Sequence, residues 1–169
     1  PGNVMYLANH FGMIEERTMV IVTASDAVLL SDQTWQTAKV KQTSPIRFEL
    51  TPNLARAVKE TLQKSNIRKG RIGIAGWRIF PAQIYIEIRK DFPYLRFEET
   101  NALMELRAIK SPNEMALIRE AARITDLSFE AAMKMVKVGN TEYDVIATAE
   151  YAIRSACAEP SWQHEIGAG

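Results

Sequence analysis

The chain has 169 residues, of which 47% are hydrophobic and 24% are charged, a composition typical of globular proteins rather than of disordered or fibrous ones. Its 21 basic and 20 acidic residues leave a formal charge of +1, so the sequence predicts neither a nucleic-acid nor a membrane partner. The longest apolar runs have the length of a strand, which is too short to cross a bilayer. A single cysteine excludes an intramolecular disulfide, and we expect a reducing, cytoplasmic setting.

The amino-terminal part of the chain alternates short strand-like runs with helical ones, which favours a layered α/β domain whose sheet is partly parallel. Residues 18–23 and 27–31 are rich in strand-forming residues, and the short gap between them predicts an antiparallel hairpin. Helical spacing predicts a helix over residues 52–64, with Thr51 as its N-cap and Pro52 at the first helical position. The other elements predicted here are a strand over 71–75, a helix over 82–90 that follows Pro81 and buries Ile84 and Ile88, and a strand over 95–97.

After these strands the sequence is helical almost without interruption, which indicates the start of a second structural unit. Ser111, Pro112 and Glu114 form the strongest local signal, because they have the types and spacing of a capping box with proline at the first helical position. The pattern predicts a helix that ends at Gly139 and a second, antiparallel helix that begins at Thr141. The predicted buried faces are Met115, Ile118, Ala122, Thr125, Phe129, Ala132 and Val136 on the first helix, and Val145, Ile146, Ala149, Ala152, Ile153 and Ala156 on the second.

The residues that could carry chemistry are few. The two histidines, His10 and His164, lie far apart and form no metal-binding motif. We expect His10 to be a partly solvated loop residue, whereas His164, beside Trp162, is a weak candidate for substrate binding. Cys157 lies on the apolar stripe of the last predicted helix, so we expect a buried, inert thiol there.

One cluster of basic residues and one single arginine could bind an anion. The cluster of Arg68, Lys69, Arg71 and Arg78 has no interleaved aromatic residues, which favours a solvated rim beside a strand. Arg17 stands at the start of the first predicted strand, where α/β domains place ligand-binding groups. A guanidinium that faces the substrate and a plain surface ion pair both fit this position.

Three segments together resemble the creatinase, prolidase and aminopeptidase P family. Residues 3–7 (NVMYL), followed by Glu16 and Arg17, are similar to the "N-x-x-Y-L-T-G-F … E-R" opening of the family. Asn9 stands where the family usually has glycine, and asparagine also tolerates a left-handed turn. Residues 106–114 (LRAIKSPNE) resemble the "L-R-x-I-K-S-x-x-E" signature that joins the two domains of the family, and residues 138–142 (VGNTE) resemble its "G-x-T-E" turn.

The resemblance implies an α/β fold in two parts. Residues 1–106 would be most of the creatinase/prolidase-type N-terminal domain, without its first elements. In the family, this domain is a ribonuclease H-like mixed sheet with flanking helices. Residues 107–169 would be the first helices of the pita-bread α+β catalytic domain. The abrupt beginning at Pro1 and end at Gly169 are then those of a piece with both ends cut.

The same resemblance implies a chemistry that lies outside this sequence. In the family, two Asp, one His and two Glu hold a pair of divalent metal ions (Mn, Co or Zn), and all five ligands follow the position that matches Gly169. No residue here is therefore assigned as catalytic or as a metal ligand. Arg17 matches an arginine that in the creatinase branch reaches a substrate carboxylate, often across a dimer contact.

By resemblance, the expected function is that of the N-terminal part of a metal-dependent Xaa-Pro peptidase, a dipeptidase or an aminopeptidase that acts on short proline-containing peptides as a homodimer. The piece itself would be inactive and would supply oligomer contacts and a wall of the substrate cleft. Two alternatives remain open: a creatinase-like C–N hydrolase or related lyase of the same fold, and a pita-bread module without metal that binds a protein partner.

Overall fold

The computed structural model describes residues 2–10, 17–32 and 37–158. The chain divides into two compact units, Pro1–Arg107 and Ala108–Gly169. The described helices are α1 (Gly2–Ala8), α2 (Thr37–Thr43), α3 (Leu54–Lys64), α4 (Ala82–Asp91), α5 (Ala102–Ala108), α6 (Pro112–Met135) and α7 (Glu142–Ser155). The described strands are β1 (Thr18–Val22), β2 (Ala27–Ser31), β3 (Arg47–Leu50), β4 (Gly70–Ile74) and β5 (Leu95–Glu99).

The first unit is an α/β fold with mixed strand pairing, as predicted. β1 and β2 form the expected antiparallel hairpin, in which Thr18 pairs with Ser31. β2 pairs in parallel with β3, and β4 pairs in parallel with β5. The carboxyl ends of β2 and β3 therefore lie at the same edge of the sheet, which is where parallel sheets collect ligand-binding groups.

β2 is the centre of the first unit because both of its faces are buried. Val28 and Leu30 point into a core made with α3, α4 and β5, whereas Leu29 points to the opposite face, against Ala8 and Val40. The period of two along a strand sends alternate side chains to opposite faces, so a continuous apolar run can cover two cores. The helix face that carries Ile84 and Ile88 is buried, as predicted.

The N-cap of α3 differs from the prediction, whereas the turn at Asn9 agrees with it. Thr51 was expected to cap α3, but the N-cap is Asn53, whose side chain accepts a hydrogen bond from the backbone N–H of Arg56. The Thr51 hydroxyl instead accepts from the N–H of Asn53 at 3.2 Å, which fixes the turn before the helix. Asn9 has a φ of +50°, so asparagine does adopt the left-handed turn expected of it after α1.

In the described part of the second unit, α6 and α7 pack against each other. Both begin with a capping box, formed by Ser111 and Glu114 on α6 and by Thr141 and Asp144 on α7. The first of these was predicted, and Pro112 is the first residue of its helix. Among the described residues, no helix has the length and apolar character that a membrane span requires.

The end and the inner face of α6 differ from the prediction. The helix ends at Met135 rather than at Gly139, because the Asn140 side chain donates to the Met135 carbonyl at 2.7 Å and closes the last turn. Phe129, assigned to the buried face, is 66% exposed. The inner face instead carries Ser128, which is buried and donates to the Ala149 carbonyl at 3.2 Å.

The buried face of α6 was predicted only in part because a small polar residue, and not a large apolar one, lies at its contact with α7. A small serine lets two helices approach closely, and a count of large apolar residues overlooks it. The half-buried neighbours of Ser128 on that face are Ile124, Ala131, Ala132 and Met135. The predicted residues are half-buried at Met115 and Ala132, and exposed at Ile118, Ala122, Thr125, Phe129 and Val136. The face predicted for α7 is correct, with Ala149 at its centre.

Cys157 was expected to be buried, but it is exposed. The apolar stripe continues beyond Ser155, whereas the helix ends there, and Cys157 has a left-handed φ of +58° in the turn that follows. Its side chain is consequently no longer part of the helix face from which its burial was inferred.

Candidate functional site

Arg17 and Asp32 face each other where β1 begins and β2 ends. One Asp32 oxygen, Oδ1, accepts the backbone N–H of Arg17 at 2.9 Å, and the other, Oδ2, accepts the Nε–H of the guanidinium at 2.6 Å. The backbone N–H of Asp32 in turn donates to the Arg17 carbonyl at 3.3 Å. The Asp32 side chain is only 8% exposed, whereas that of Arg17 is 67% exposed. The carboxylate is thus part of the scaffold, and the guanidinium is its accessible partner.

This pair lies at the carboxyl edge of the parallel strands β2 and β3. Ser31, fully buried, is the last residue of β2, and its carbonyl accepts the N–H of Thr51, which follows β3. Asp32 comes next in the chain, so the rigid end of two paired strands holds the carboxylate that binds Arg17. Both interpretations of Arg17 meet here: it forms an ion pair, and the pair stands at an edge suited to ligands.

Arg47, the first residue of β3, forms a second ion-pair group at the opposite end of the same sheet. Both of its terminal nitrogens are engaged, Nη1 by Glu49 and Nη2 by Asp26, each at 2.9 Å. The hydrogen bond from Arg47 lowers the pKa of the Asp26 carboxyl below its ordinary value. Because both ends of its guanidinium are occupied, Arg47 is less suited than Arg17 to hold a further carboxylate.

Two of the motif segments meet within the first unit. Arg107, from the segment 106–114, donates through Nη1 to the side-chain oxygen of Asn3 at 3.1 Å. Its guanidinium carbon lies 5.7 Å from the centre of the Tyr6 ring, a cation–π arrangement. Asn3 also donates to the Ala75 carbonyl at 3.5 Å, just after β4. We call Asn3, Tyr6 and Arg107 the α1–α5 clamp, since it joins the first helix to the last helix of this unit.

The structure corrects one of the two histidine assignments. His10 was expected to be partly solvated, but it is 4% exposed. It follows the fully buried Ala8 and the left-handed turn at Asn9, which keeps the chain close to that core. His164 lies outside the described residues, so its candidacy as a substrate-binding residue stays a prediction.

The other candidate groups do not converge on a site. Of the predicted basic rim, Arg71 pairs with Glu98 at 3.8 Å across β4 and β5. A groove of about 370 Å³ lies between α6 and α7, with Leu127, Met135 and Ala152 among its lining residues. Within the described ranges, His, Cys, Asp and Glu side chains form no group of three that could hold a metal ion.

Comparison with known proteins shows what the sequence and the fold of this chain are similar to. No protein-family model matches the sequence. Over 68 residues, 40% of this chain, the sequence is 34% identical to a Xaa-Pro aminopeptidase of Haemophilus influenzae. The fold matches that of an X-Pro aminopeptidase from Thermotoga maritima with a TM-score of 0.73 over 92% of this chain, at 18% identity. The chain is similar to the N-terminal part of the prolidases and aminopeptidases P.

The resemblance drawn from the motifs is therefore confirmed. The fold also matches that of a dipeptidase from Pyrococcus horikoshii, with a TM-score of 0.63 over 92% of this chain and 27% identity. The chain spans less than half of these structures, 43% of the Thermotoga protein and 44% of the Pyrococcus protein. The aligned segment spans 16% of the Haemophilus aminopeptidase.

Proposed function

We propose that these residues form the N-terminal part of a longer, cytoplasmic and metal-dependent Xaa-Pro peptidase, which hydrolyses the bond before proline in short peptides. We call this longer protein the parent protein. The observation that carries the proposal is the 34% identity to a Xaa-Pro aminopeptidase over 68 residues, supported by the shared fold over more than nine-tenths of the chain.

The family resemblance indicates which part of the parent protein would carry the metal ligands. We propose that residues downstream of Gly169 in the parent protein supply two Asp, one His and two Glu that hold two divalent ions, Mn, Co or Zn. When bound, two divalent metal ions of this kind activate a water molecule and polarise the scissile carbonyl. The 169-residue chain would then be inactive by itself, and would supply homodimer contacts and one wall of the substrate cleft.

Within this part, we propose that Arg17 binds the carboxylate of the substrate. The side chain is accessible and stands at the carboxyl edge of β2 and β3. A guanidinium matches the planar shape of a carboxylate and can bind it with two parallel hydrogen bonds. An anchor of this kind selects peptides whose carboxyl terminus lies a fixed distance from the scissile bond.

The proposed activity is tested by incubating the parent protein, loaded with Mn²⁺, with matched peptides that carry proline or alanine after the scissile bond. We expect hydrolysis of the Xaa-Pro peptide and at least about a hundredfold lower kcat/KM for the Xaa-Ala peptide. Cleavage of creatine in place of both peptides would indicate a creatinase-like hydrolase. Absence of any hydrolysis would favour a pita-bread module that binds a protein partner.

The role of Arg17 is tested separately by the substitution Arg17→Gln in the parent protein. We expect KM for a free-acid Xaa-Pro substrate to rise by about 10- to 100-fold with little change in kcat, consistent with roughly 1.5–3 kcal/mol for a charged hydrogen bond. The same variant should leave KM almost unchanged for the same peptide with an amidated carboxyl terminus, which has no carboxylate for Arg17 to bind. An unchanged KM for the free acid would end the assignment.

A further inference from the structure

We infer that Asp32 is a positioning residue, which holds the Arg17 guanidinium so that its two terminal nitrogens are presented to the carboxylate of the substrate. This inference rests on the proposed role of Arg17 and deepens it. It concerns the way in which the accessible guanidinium is prepared for a ligand.

Asp32 contacts Arg17 at two points. Asp32 holds both the backbone N–H of Arg17, at 2.9 Å, and the Nε–H at the far end of the same side chain, at 2.6 Å. A single carboxylate that binds both points restricts the rotations of the carbon stem between them. Long arginine side chains lose substantial conformational entropy when they bind a ligand, so a stem that is already fixed binds at a lower cost.

The Asp32 carboxylate is itself held in a buried position. The Asp32 side chain is 8% exposed and directly follows Ser31, the buried last residue of β2. By comparison, Arg56 also binds a carboxylate through Nε, at 2.8 Å, but its partner Glu60 is 39% exposed on the surface of α3. Asp32 therefore offers a fixed contact, whereas Glu60 offers a solvated one.

Asp32 binds one particular edge of the Arg17 guanidinium. A guanidinium can meet a carboxylate with its side edge, formed by Nε and one terminal nitrogen, or with its end edge, formed by the two terminal nitrogens. Asp32 binds Nε, so this hydrogen bond does not use the end edge, which a second carboxylate can bind. In Arg47 the end edge is occupied by Asp26 and Glu49, and no comparable presentation follows.

The negative charge of Asp32 allows a positioning role to be distinguished from simple electrostatic attraction. A carboxylate beside Arg17 weakens the net attraction of the site for an anionic substrate, because like charges repel. If electrostatic attraction dominated, removal of the Asp32 charge would tighten binding. If positioning dominates, as we infer, the same removal weakens binding.

The direct test is the substitution Asp32→Asn, observed by NMR on the 169-residue chain. The Asn oxygen can still accept the backbone N–H of Arg17, but its NH₂ group would face Nε–H, so only the side-chain bond is lost. We expect a sharp, slowly exchanging Arg17 Nε–H resonance in the native chain and its loss in D32N. The matched control is Asp26→Asn, which removes an ion pair at the other end of the hairpin and should leave that resonance unchanged. An Arg17 Nε–H resonance that is unaffected by D32N would overturn the inference.

The functional test uses the parent protein and a free-acid Xaa-Pro substrate. We expect D32N to raise KM by about 3- to 10-fold with kcat unchanged, the range for the loss of one hydrogen bond, and D26N to have no effect. In the R17Q background D32N should add nothing, since Asp32 acts through Arg17. A lowered KM in D32N, or an equal increase in both backgrounds, would overturn the positioning role.

The two levels of the proposal fail in different ways. If R17Q leaves KM unchanged, the anchor itself is wrong, whatever the NMR experiment shows. If R17Q raises KM but D32N does not, Arg17 is the anchor and Asp32 does not position it. Should D32N fail to fold, Asp32→Glu replaces it, because glutamate keeps the negative charge but its extra methylene displaces the carboxylate from its two contacts with Arg17. The same rise in KM is then expected, and an unchanged KM contradicts the inference.

Discussion

The α1–α5 clamp gives the first unit a contact whose strength can be measured. Arg107 is half-buried, donates to Asn3 at 3.1 Å and lies 5.7 Å from the centre of the Tyr6 ring. A partly exposed charged hydrogen bond contributes about 1 kcal/mol and a cation–π contact about 0.5–1 kcal/mol. Arg107→Lys retains the charge but loses the planar fork, so we expect the local opening of α1 to become easier by about 1–2 kcal/mol.

Hydrogen exchange of the α1 amides measures this local opening. The Asn9 N–H, bonded to the Met5 carbonyl at 3.0 Å, closes the helix and is the best reporter. An opening that is easier by about 1–2 kcal/mol corresponds to about 5- to 30-fold faster exchange. The control is Arg119→Lys, an exposed position on α6 in the other unit, which should leave α1 unchanged. Equal exchange in the two variants would show that the clamp does not hold α1.

Three further predictions concern the stability of the fold. Leu30→Ala should lower the free energy of unfolding by about 2–5 kcal/mol in urea titrations, because Leu30 is fully buried, whereas Leu50→Ala, at a 41% exposed position, should cost less than about 1 kcal/mol. Gly73→Ala should destabilise by about 1–3 kcal/mol, since the new Cβ would lie 2.9 Å from the Thr100 methyl carbon, and Thr100→Ser, which removes that methyl, should restore part of the loss. Hydrogen bonds at the start of α6 lower the pKa of Glu114, so its contribution to stability is present above the ordinary carboxyl pKa and is lost as the pH falls through the lowered value; acid titrations of Glu114→Gln should show a smaller loss of α6 helicity below about pH 4.

Much of the fold is readable from the sequence because the local signals agree with the global packing. The hairpin of β1 and β2, the helix after Pro81 and the capping box at Ser111 all formed where their residue types predict them. The inner face of α6 was missed because Ser128, a small polar residue, makes the close contact that periodicity assigns to large apolar ones. The burial of His10 was missed because it depends on the turn at Asn9 and on the core around Ala8.

The candidate site was only partly predictable for the same reason. Arg17 stands out in the sequence because it begins a strand and matches a family motif. Asp32, its partner across 15 positions, gives no motif signal, although the hairpin register that pairs Thr18 with Ser31 brings it opposite Arg17. The α1–α5 clamp likewise joins two motif segments, and pairing them requires the tertiary fold.

The most direct test of the proposed function is the metal content of the parent protein, measured together with its hydrolysis of a Xaa-Pro dipeptide before and after chelation. The account predicts two divalent ions per chain, loss of hydrolysis when a chelator removes them, and recovery when Mn²⁺, Co²⁺ or Zn²⁺ is restored. A parent protein that binds no metal, or that cleaves the dipeptide equally well without it, would contradict the account.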